Sequence, residues 1–130
     1  MAYWLFTEAM LQGRPIRLFN QGRMRRDFTY VDDIVAGILA VLDAPPAQPG
    51  HRVYNIGNSH PEELLDMVAM LEELLGVKAK RDLLPMQPGD VPATWADASL
   101  IEALTGPLPR TDIRDGVRHF VDWYRSYYSV

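Results

Sequence analysis

The residues of this chain best equipped for chemistry are recognition groups. Residues 22–33 read GRMRRDFTYVDD and place Arg23, Arg25 and Arg26 within four positions. A guanidinium presents a planar fork of N–H donors that matches phosphate oxygens, so the cluster could clamp a diphosphate. If residues 26–30 are extended, Arg26 shares a face with Phe28 and Tyr30, and Arg25 shares the other with Asp27. Only part of the cluster can then face one ligand. The simpler alternative is a solvated, charged turn with Arg26 paired to Asp32 or Asp33.

A second set lies in residues 86–92, MQPGDVP. Its two prolines and glycine stiffen the loop and lower the entropy lost on ordering around a ligand. Gln87 and Asp90 offer an amide and a carboxylate, both good partners for sugar hydroxyls. As a plain surface turn, Asp90 would instead bond its own backbone. The third candidate is Asn55 in residues 54–58, YNIGN, which either forms a turn or reaches a ligand at the end of a strand. Trp4, Trp95 and Trp123 read as core or rim packing residues.

Groups that break and make bonds are harder to find. The nine glycines are scattered, and no G-x-G-x-x-G or G-x-x-G-x-x-G occurs to bring backbone against a pyrophosphate. There is no P-loop and no G-x-S-x-G elbow. Neither Lys78 nor Lys80 has a tyrosine four residues before it, so a Tyr-x-x-x-Lys pair is missing. His51, His60 and His119 form no metal-binding pair, and the absence of cysteine excludes disulfides and thiolate metal sites. These features suit a reducing, cytoplasmic setting. A net charge of −4 argues against nucleic acid as the main partner. No apolar run reaches the ~18 residues of a membrane span, and the N-terminus lacks a signal-peptide pattern.

The elements that must position these groups follow from periodicity. Residues 3–12 read as a helix stopped by Gly13 and Pro15, and residues 16–19 as a strand. Residues 20–22 are a turn, and residues 26–30 a second extended piece. Residues 32–42 are a helix with Ile34, Val35, Ile38, Leu39 and Leu42 at helical spacing, and with Asp32 and Asp33 near its positive end. A loop over residues 44–50 leads to a strand over 52–56. Ser59 and Glu62 match a capping box ahead of a helix whose face is Leu64, Val68, Leu71 and Leu75. A strand over 78–83, a loop over 85–92 and a short helix over 97–104 follow. Thr111 is placed to cap a last helix with Ile113, Val117, Phe120, Val121 and Tyr124 on one face. The content is mixed α/β, with strands few and short for a self-contained sheet. Met1 opens straight into a helix without a capping residue, as in a chain cut from a longer one or in a normal start whose first turn frays.

The runs RRDFTYVDD, YNIGN, MQPGDVPATWAD and FVDWY, in this order, resemble the C-terminal part of extended short-chain dehydrogenases/reductases. Among these, the match is nearest to NAD-dependent nucleotide-sugar epimerases, in particular UDP-glucuronate 4-epimerases. The resemblance covers nearly the whole chain. It implies a Rossmann-type parent whose smaller C-terminal domain, here residues 1–130, binds the nucleotide sugar. Arg26 would bind the UDP diphosphate, the backbone of Arg17 and Phe19 the uracil, and Asp90 the ribose hydroxyls. Gln87 stands where some relatives carry a second phosphate-binding arginine, and Asn55 is a weaker correspondence.

The family's glycine-rich NAD loop, its Ser/Thr and its Tyr-x-x-x-Lys would lie upstream of Met1. In the parent, that tyrosine would help remove the C4 hydroxyl proton as NAD takes the C4 hydride, and the keto intermediate would be reduced on its other face. The resemblance therefore implies a portion without a catalytic centre, inactive alone and binding UDP-sugar weakly and no NAD. Its strand over 53–56 would join the parent's sheet, so without that sheet the chain should self-associate. A related dehydratase or decarboxylase, or a non-catalytic module working with a partner chain, are the alternative readings.

Overall fold

The computed structural model describes residues 1–44 and 50–130. Most of the loop expected over 44–50 lies outside the described residues. Among the described residues, five α-helices and five very short strands form the mixed α/β fold expected. The elements are α1 (Ala2–Leu11), β1 (Ile16–Leu18), β2 (Arg25–Arg26), α2 (Val31–Asp43), β3 (Glu62–Glu63) and α3 (Leu64–Leu75). β4 (Arg81–Leu83), β5 (Ala93–Thr94), α4 (Ser99–Thr105) and α5 (Ile113–Tyr128) complete it. Among the described residues, no helix is long and apolar enough to cross a membrane.

The core lies between α1, α3, α5 and β1. On α3, Leu64, Val68, Leu71 and Leu75 are buried as their spacing requires, joined by Met67. They meet Phe6 and Met10 of α1 and Ile113, Val117 and Val121 of α5. Ile16 and Leu18 point inward from β1 while Arg17 points out, the alternation of a strand with one buried face. Gly76 closes α3 in the left-handed conformation at φ 69°, which costs glycine nothing. Trp4 and Trp123 pack as expected: Trp4 meets Tyr124 edge-on at 5.2 Å and lies 5.7 Å from Trp123. Trp95 stands on the rim, 64 % exposed.

Two small sheets carry the rest. β1 pairs in parallel with β4, Leu18 opposite Leu83. β2 is central in the other sheet, antiparallel to β3 and parallel to β5, so that Arg26 faces Glu62 on one side and Thr94 on the other. Three sequence expectations give way here. The extended piece over 26–30 contracts to Arg25–Arg26, because only these residues find partner strands. Residues 52–56 form no strand, since nothing among the described residues pairs with them. The capping box does not form either. Ser59 sits at φ 56° instead of the extended conformation an N-cap needs, and Glu62 is occupied in β3.

α2 shows why the last helix starts where it does. The buried Asp33 accepts hydrogen bonds from Thr111 N at 2.6 Å and from Thr111 Oγ1 at 2.9 Å. Thr111 is thus spent on α2, and Asp112 caps α5 by accepting from Arg114 N. The other side of α2 is open. Val31, Val35, Ile38, Leu39 and Leu42 are between 46 % and 69 % exposed, an apolar stripe facing no element of the described chain.

A buried carboxylate fixes the lead into β4. Glu72 of α3 accepts from Lys78 Nζ at 2.7 Å, from Ala79 N at 3.1 Å and from Arg81 Nη2 at 3.4 Å. The bond from Lys78 outweighs burial and holds the Glu72 carboxyl below its ordinary 4.5. A carboxylate whose folded-state pKa is depressed stabilises the fold above its unfolded value and loses that contribution as pH falls through the folded one. Thermal unfolding followed from pH 7 to pH 3 should therefore show a fall in midpoint beginning below about 4.5. Glu72→Gln should flatten that part of the profile, and an unchanged profile would show that other carboxylates govern acid unfolding.

Candidate functional site

The loop over 84–92 connects the two sheets and gathers the candidate residues. At its start, Leu84 N donates to Leu18 O at 2.9 Å, and Leu84 O accepts from Gln21 N at 3.0 Å. At its end, Pro92 O accepts from Arg25 N at 2.8 Å. The loop therefore runs from the β1 edge to β2. Between these anchors, Asp90 N donates to Gln87 O at 3.1 Å and closes a tight turn with Gly89 at φ 83°.

Asp90 is thereby brought against Arg26, 64 residues away in sequence. Arg26 Nη2 donates to Asp90 Oδ1 at 2.8 Å. Arg26 Nη1 donates to the carbonyls of Arg25 at 2.8 Å and Pro92 at 3.4 Å. The guanidinium is 26 % exposed and the Asp90 side chain 35 %, so the pair lies at the surface yet is held from several sides. The pairing of Arg26 with Asp32 or Asp33 considered from the sequence is not made: Asp33 belongs to Thr111, and Arg26 to Asp90. Asp90 also accepts from its neighbour Val91 N at 2.9 Å, so the self-bonding turn and the inter-segment ion pair coexist.

The other arginines point elsewhere. Arg25 Nε lies 3.3 Å from Glu63 Oε1, and its Nη2 donates to Pro61 O at 3.0 Å. This is the opposite face expected from alternation. Arg23 bonds Gln21 on the surface. Arg26 is left as the arginine of the cluster on the loop side.

Arg17 and Phe19 lie on and just past β1. Ile16 N donates to Lys80 O, and Leu18 O accepts from Leu84 N, so the even positions face β4. By alternation, the backbone N–H and C=O of Arg17 point to the opposite, open edge of β1. Phe19 follows in a 3-10 turn in which Asn20 and Gln21 take positive φ, with Asn20 Nδ2 bonding Arg23 O at 2.7 Å. The Arg17 guanidinium lies 5.4 Å from the Phe19 ring centroid. The Gln87 side chain is exposed near the turn that precedes Asp90.

Asn55 belongs to a neighbouring open cleft of about 440 Å³, lined among others by Asp27, Thr29, Thr94, Trp95 and Ala96. Asn55 thus shares the β2–β5 end of the molecule with Arg26, while the β1 edge lies at the far end of the loop. Asp27 and Gly57 were missed by sequence reasoning. The available signal was a carboxylate flanked by strand residues and followed, 30 positions on, by a glycine between apolar and polar neighbours.

The strand-to-helix turns test whether a dinucleotide pyrophosphate fits. The turn from β2 to α2 is Asp27-Phe28-Thr29-Tyr30, and that from β5 to α4 is Trp95-Ala96-Asp97-Ala98. β3 passes directly into α3. None contains a glycine and two contain carboxylates, so the described residues do not fit an NAD phosphate cradle. Among the described residues, no group of three or more His, Asp or Glu could hold a metal ion.

Residues 3–57 match the NAD dependent epimerase/dehydratase family. The chain is 45 % identical over 143 residues to UDP-glucuronate 4-epimerase 4 of Arabidopsis thaliana, covering 99 % of this chain and 33 % of that protein. It is 40 % identical to the probable UDP-glucuronate 4-epimerase of Rhizobium meliloti, covering 98 % of this chain and 42 % of that protein. The crystal structure of UDP-glucuronic acid 4-epimerase from Bacillus cereus, in complex with UDP-glucuronic acid and NAD, superposes with a TM-score of 0.88 at 34 % identity. That match covers 98 % of this chain and 40 % of the other. The chain thus spans between a third and about two-fifths of the length of the relatives it matches.

Proposed function

We propose that this chain belongs to the NAD dependent epimerase/dehydratase family, which its residues 3–57 match, and is the nucleotide-sugar-binding portion of a UDP-glucuronate 4-epimerase. The observation that carries the reading is the Arg26–Asp90 contact at 2.8 Å. Arg26 receives the diphosphate and Asp90 the ribose hydroxyls, and these two parts of UDP are themselves adjacent. The uracil lies further along, at the open edge of β1, on the backbone of Arg17 and Phe19. The order of the ligand, base then ribose then diphosphate, follows the path of the loop from Leu84 through Asp90 to Pro92. Gln87 flanks the phosphates, and Asn55 meets the sugar side from the adjoining cleft.

The contribution of this chain is binding and orientation. The resemblance assigns the NAD-binding loop and the proton-transferring tyrosine and lysine to sequence outside this chain. By itself, the 130-residue protein is expected to be inactive as an epimerase and to bind UDP with a dissociation constant weaker than about 1 μM. The test is a two-dimensional NMR titration with UDP and, separately, with NAD. Shifts at Phe19, Arg26 and Asp90 with UDP and none with NAD are the expected result. A well-folded spectrum that ignores UDP would overturn the reading for this chain. Submicromolar binding would show a site more complete than the one proposed.

The apolar stripe of α2 belongs to the same reading. Five large aliphatic side chains on one open helix face are costly in water. The stripe is an interface, and the chain studied alone covers it by self-association.

A further inference from the structure

We propose that Asp27 is a positioning residue for the Arg26–Asp90 pair: its carboxylate ties two distant segments to the end of β2 and so fixes where the Arg26 guanidinium rests. The inference rests on the nucleotide-sugar reading above and deepens it.

Asp27 does not touch Asp90. Its Oδ1 accepts from Asn58 N at 3.1 Å, and its Oδ2 accepts from Ser59 N at 3.0 Å and Ala96 N at 2.9 Å. These three donors come from the segments 31 and 69 residues downstream, neither in a helix nor in a strand at those positions. Without Asp27 they would have to find water or go unpaired. Among the described residues, only the Asn58 amide has a second acceptor, Thr29 Oγ1 at 3.2 Å.

Gly57 makes the knot possible. A Cβ at this position would lie 2.5 Å from Ala96 Cβ and 2.9 Å from Asp27 Oδ2. The two segments and the carboxylate therefore meet closer than any other residue at 57 would permit without a shift of backbone.

The consequence reaches Arg26 through the strap over 90–96. One end is fixed by Arg25 N to Pro92 O at 2.8 Å, and the other by Asp27 N to Thr94 O at 3.1 Å and by the Ala96–Asp27 bond. Asp90 and the Pro92 carbonyl, two of the acceptors that hold the Arg26 guanidinium, are carried on this strap. A displaced strap leaves Arg26 chemically intact and wrongly aimed, and recognition of a diphosphate by a rigid fork is sensitive to aim. The knot needs a carboxylate. An asparagine of the same shape has one acceptor oxygen and turns an NH₂ donor toward backbone N–H groups.

The experiment is a UDP titration of the 130-residue protein as wild type, Asp27→Asn, Arg26→Ala, the double variant and Gly57→Ala. It is read by calorimetry and by amide shifts of Asn58, Ser59 and Ala96. Asp27→Asn is expected to weaken binding roughly three- to tenfold while moving those three amides. In the Arg26→Ala background the same change should cost less than about twofold, because its effect passes through Arg26. Gly57→Ala should reproduce the loss with the carboxylate intact, and serves in its place if Asp27→Asn does not fold. Wild-type affinity in both Asp27→Asn and Gly57→Ala would overturn the inference, as would a loss of equal size with and without Arg26. A wild-type protein that ignores UDP would sink the underlying reading, and this inference with it. That outcome is read from the wild type alone and is distinct from the others.

Discussion

Arg26→Ala is expected to weaken UDP binding by about ten- to hundredfold, from the loss of charge-assisted hydrogen bonds worth roughly 1.5–3 kcal/mol. The effect should exceed that of any neighbouring arginine. Arg25 faces Glu63 and Pro61 on the opposite side of β2, so Arg25→Ala should leave UDP affinity within about twofold. The fold should survive the Arg26 change. The pair with Asp90 is partly exposed, and such pairs contribute about 0–1 kcal/mol. The Pro92 carbonyl keeps its bond from Arg25 N. The same weakness makes the pair easy to open for a ligand, since a diphosphate brings more negative charge to the guanidinium than one carboxylate does. Arg26→Lys should fall between, keeping the charge and losing the planar fork. Equal losses in Arg25→Ala and Arg26→Ala would mean that the cluster acts as a diffuse positive patch. Calorimetry at two salt concentrations would show that patch as a steep salt dependence in both variants.

How far this site was legible in the sequence depends on the range of each interaction. Arg26 and Asp90 stood out by chemical type, and alternation separated Arg25 from Arg26 correctly because a strand's period is local. That Arg26 would choose Asp90 over the nearby Asp32 and Asp33 was not legible. The choice depends on Thr111 claiming Asp33 and on a loop path set by Leu84 and Pro92. The helices were legible to within one or two residues at most ends, since apolar residues recur along them at the helical period, whether that stripe is buried as in α3 and α5 or open as in α2. The strands were not. Residues 52–56 have the composition of a strand, but a strand is defined by a partner, and none exists among the described residues. Ser59 and Glu62 have the spacing of a capping box, yet β2 takes Glu62 into its ladder and Asp27 holds Ser59 N in a turn. For the capping box and the Arg26 pairing, a local rule lost to a contact from more than 30 residues away.

The same unpartnered elements give the second large effect. The Val35→Glu/Leu39→Glu double variant is expected to weaken self-association of this chain by at least about a hundredfold and shift it to monomer. The two positions are 46 % and 54 % exposed and sit one turn apart at the centre of the α2 stripe. Full burial of an aliphatic side chain contributes about 1.5–3 kcal/mol, so two at one contact account for a hundredfold or more, before any cost of burying the new carboxylates. The inner side of α2 should not notice. It packs through Asp33 and Gly37, and Gly37 leaves room for Ile56 and Leu108, whose nearest atoms would lie 3.2–3.4 Å from a Cβ there. Helicity should therefore hold, and circular dichroism should match the wild type. The measurement is light scattering across a concentration series. A wild type that stays monomeric at high concentration would remove the proposed interface. A double variant that associates as strongly as the wild type would move it elsewhere, with the exposed aromatic end of α5, Trp123 and Tyr127, as the next surface to substitute. UDP binding by the double variant supplies the final discrimination. Arg26 and Asp90 lie on β2 and the strap, so affinity should be retained in the monomer if the half-site is built within one chain. Affinity that disappears with association would mean that a second copy completes it.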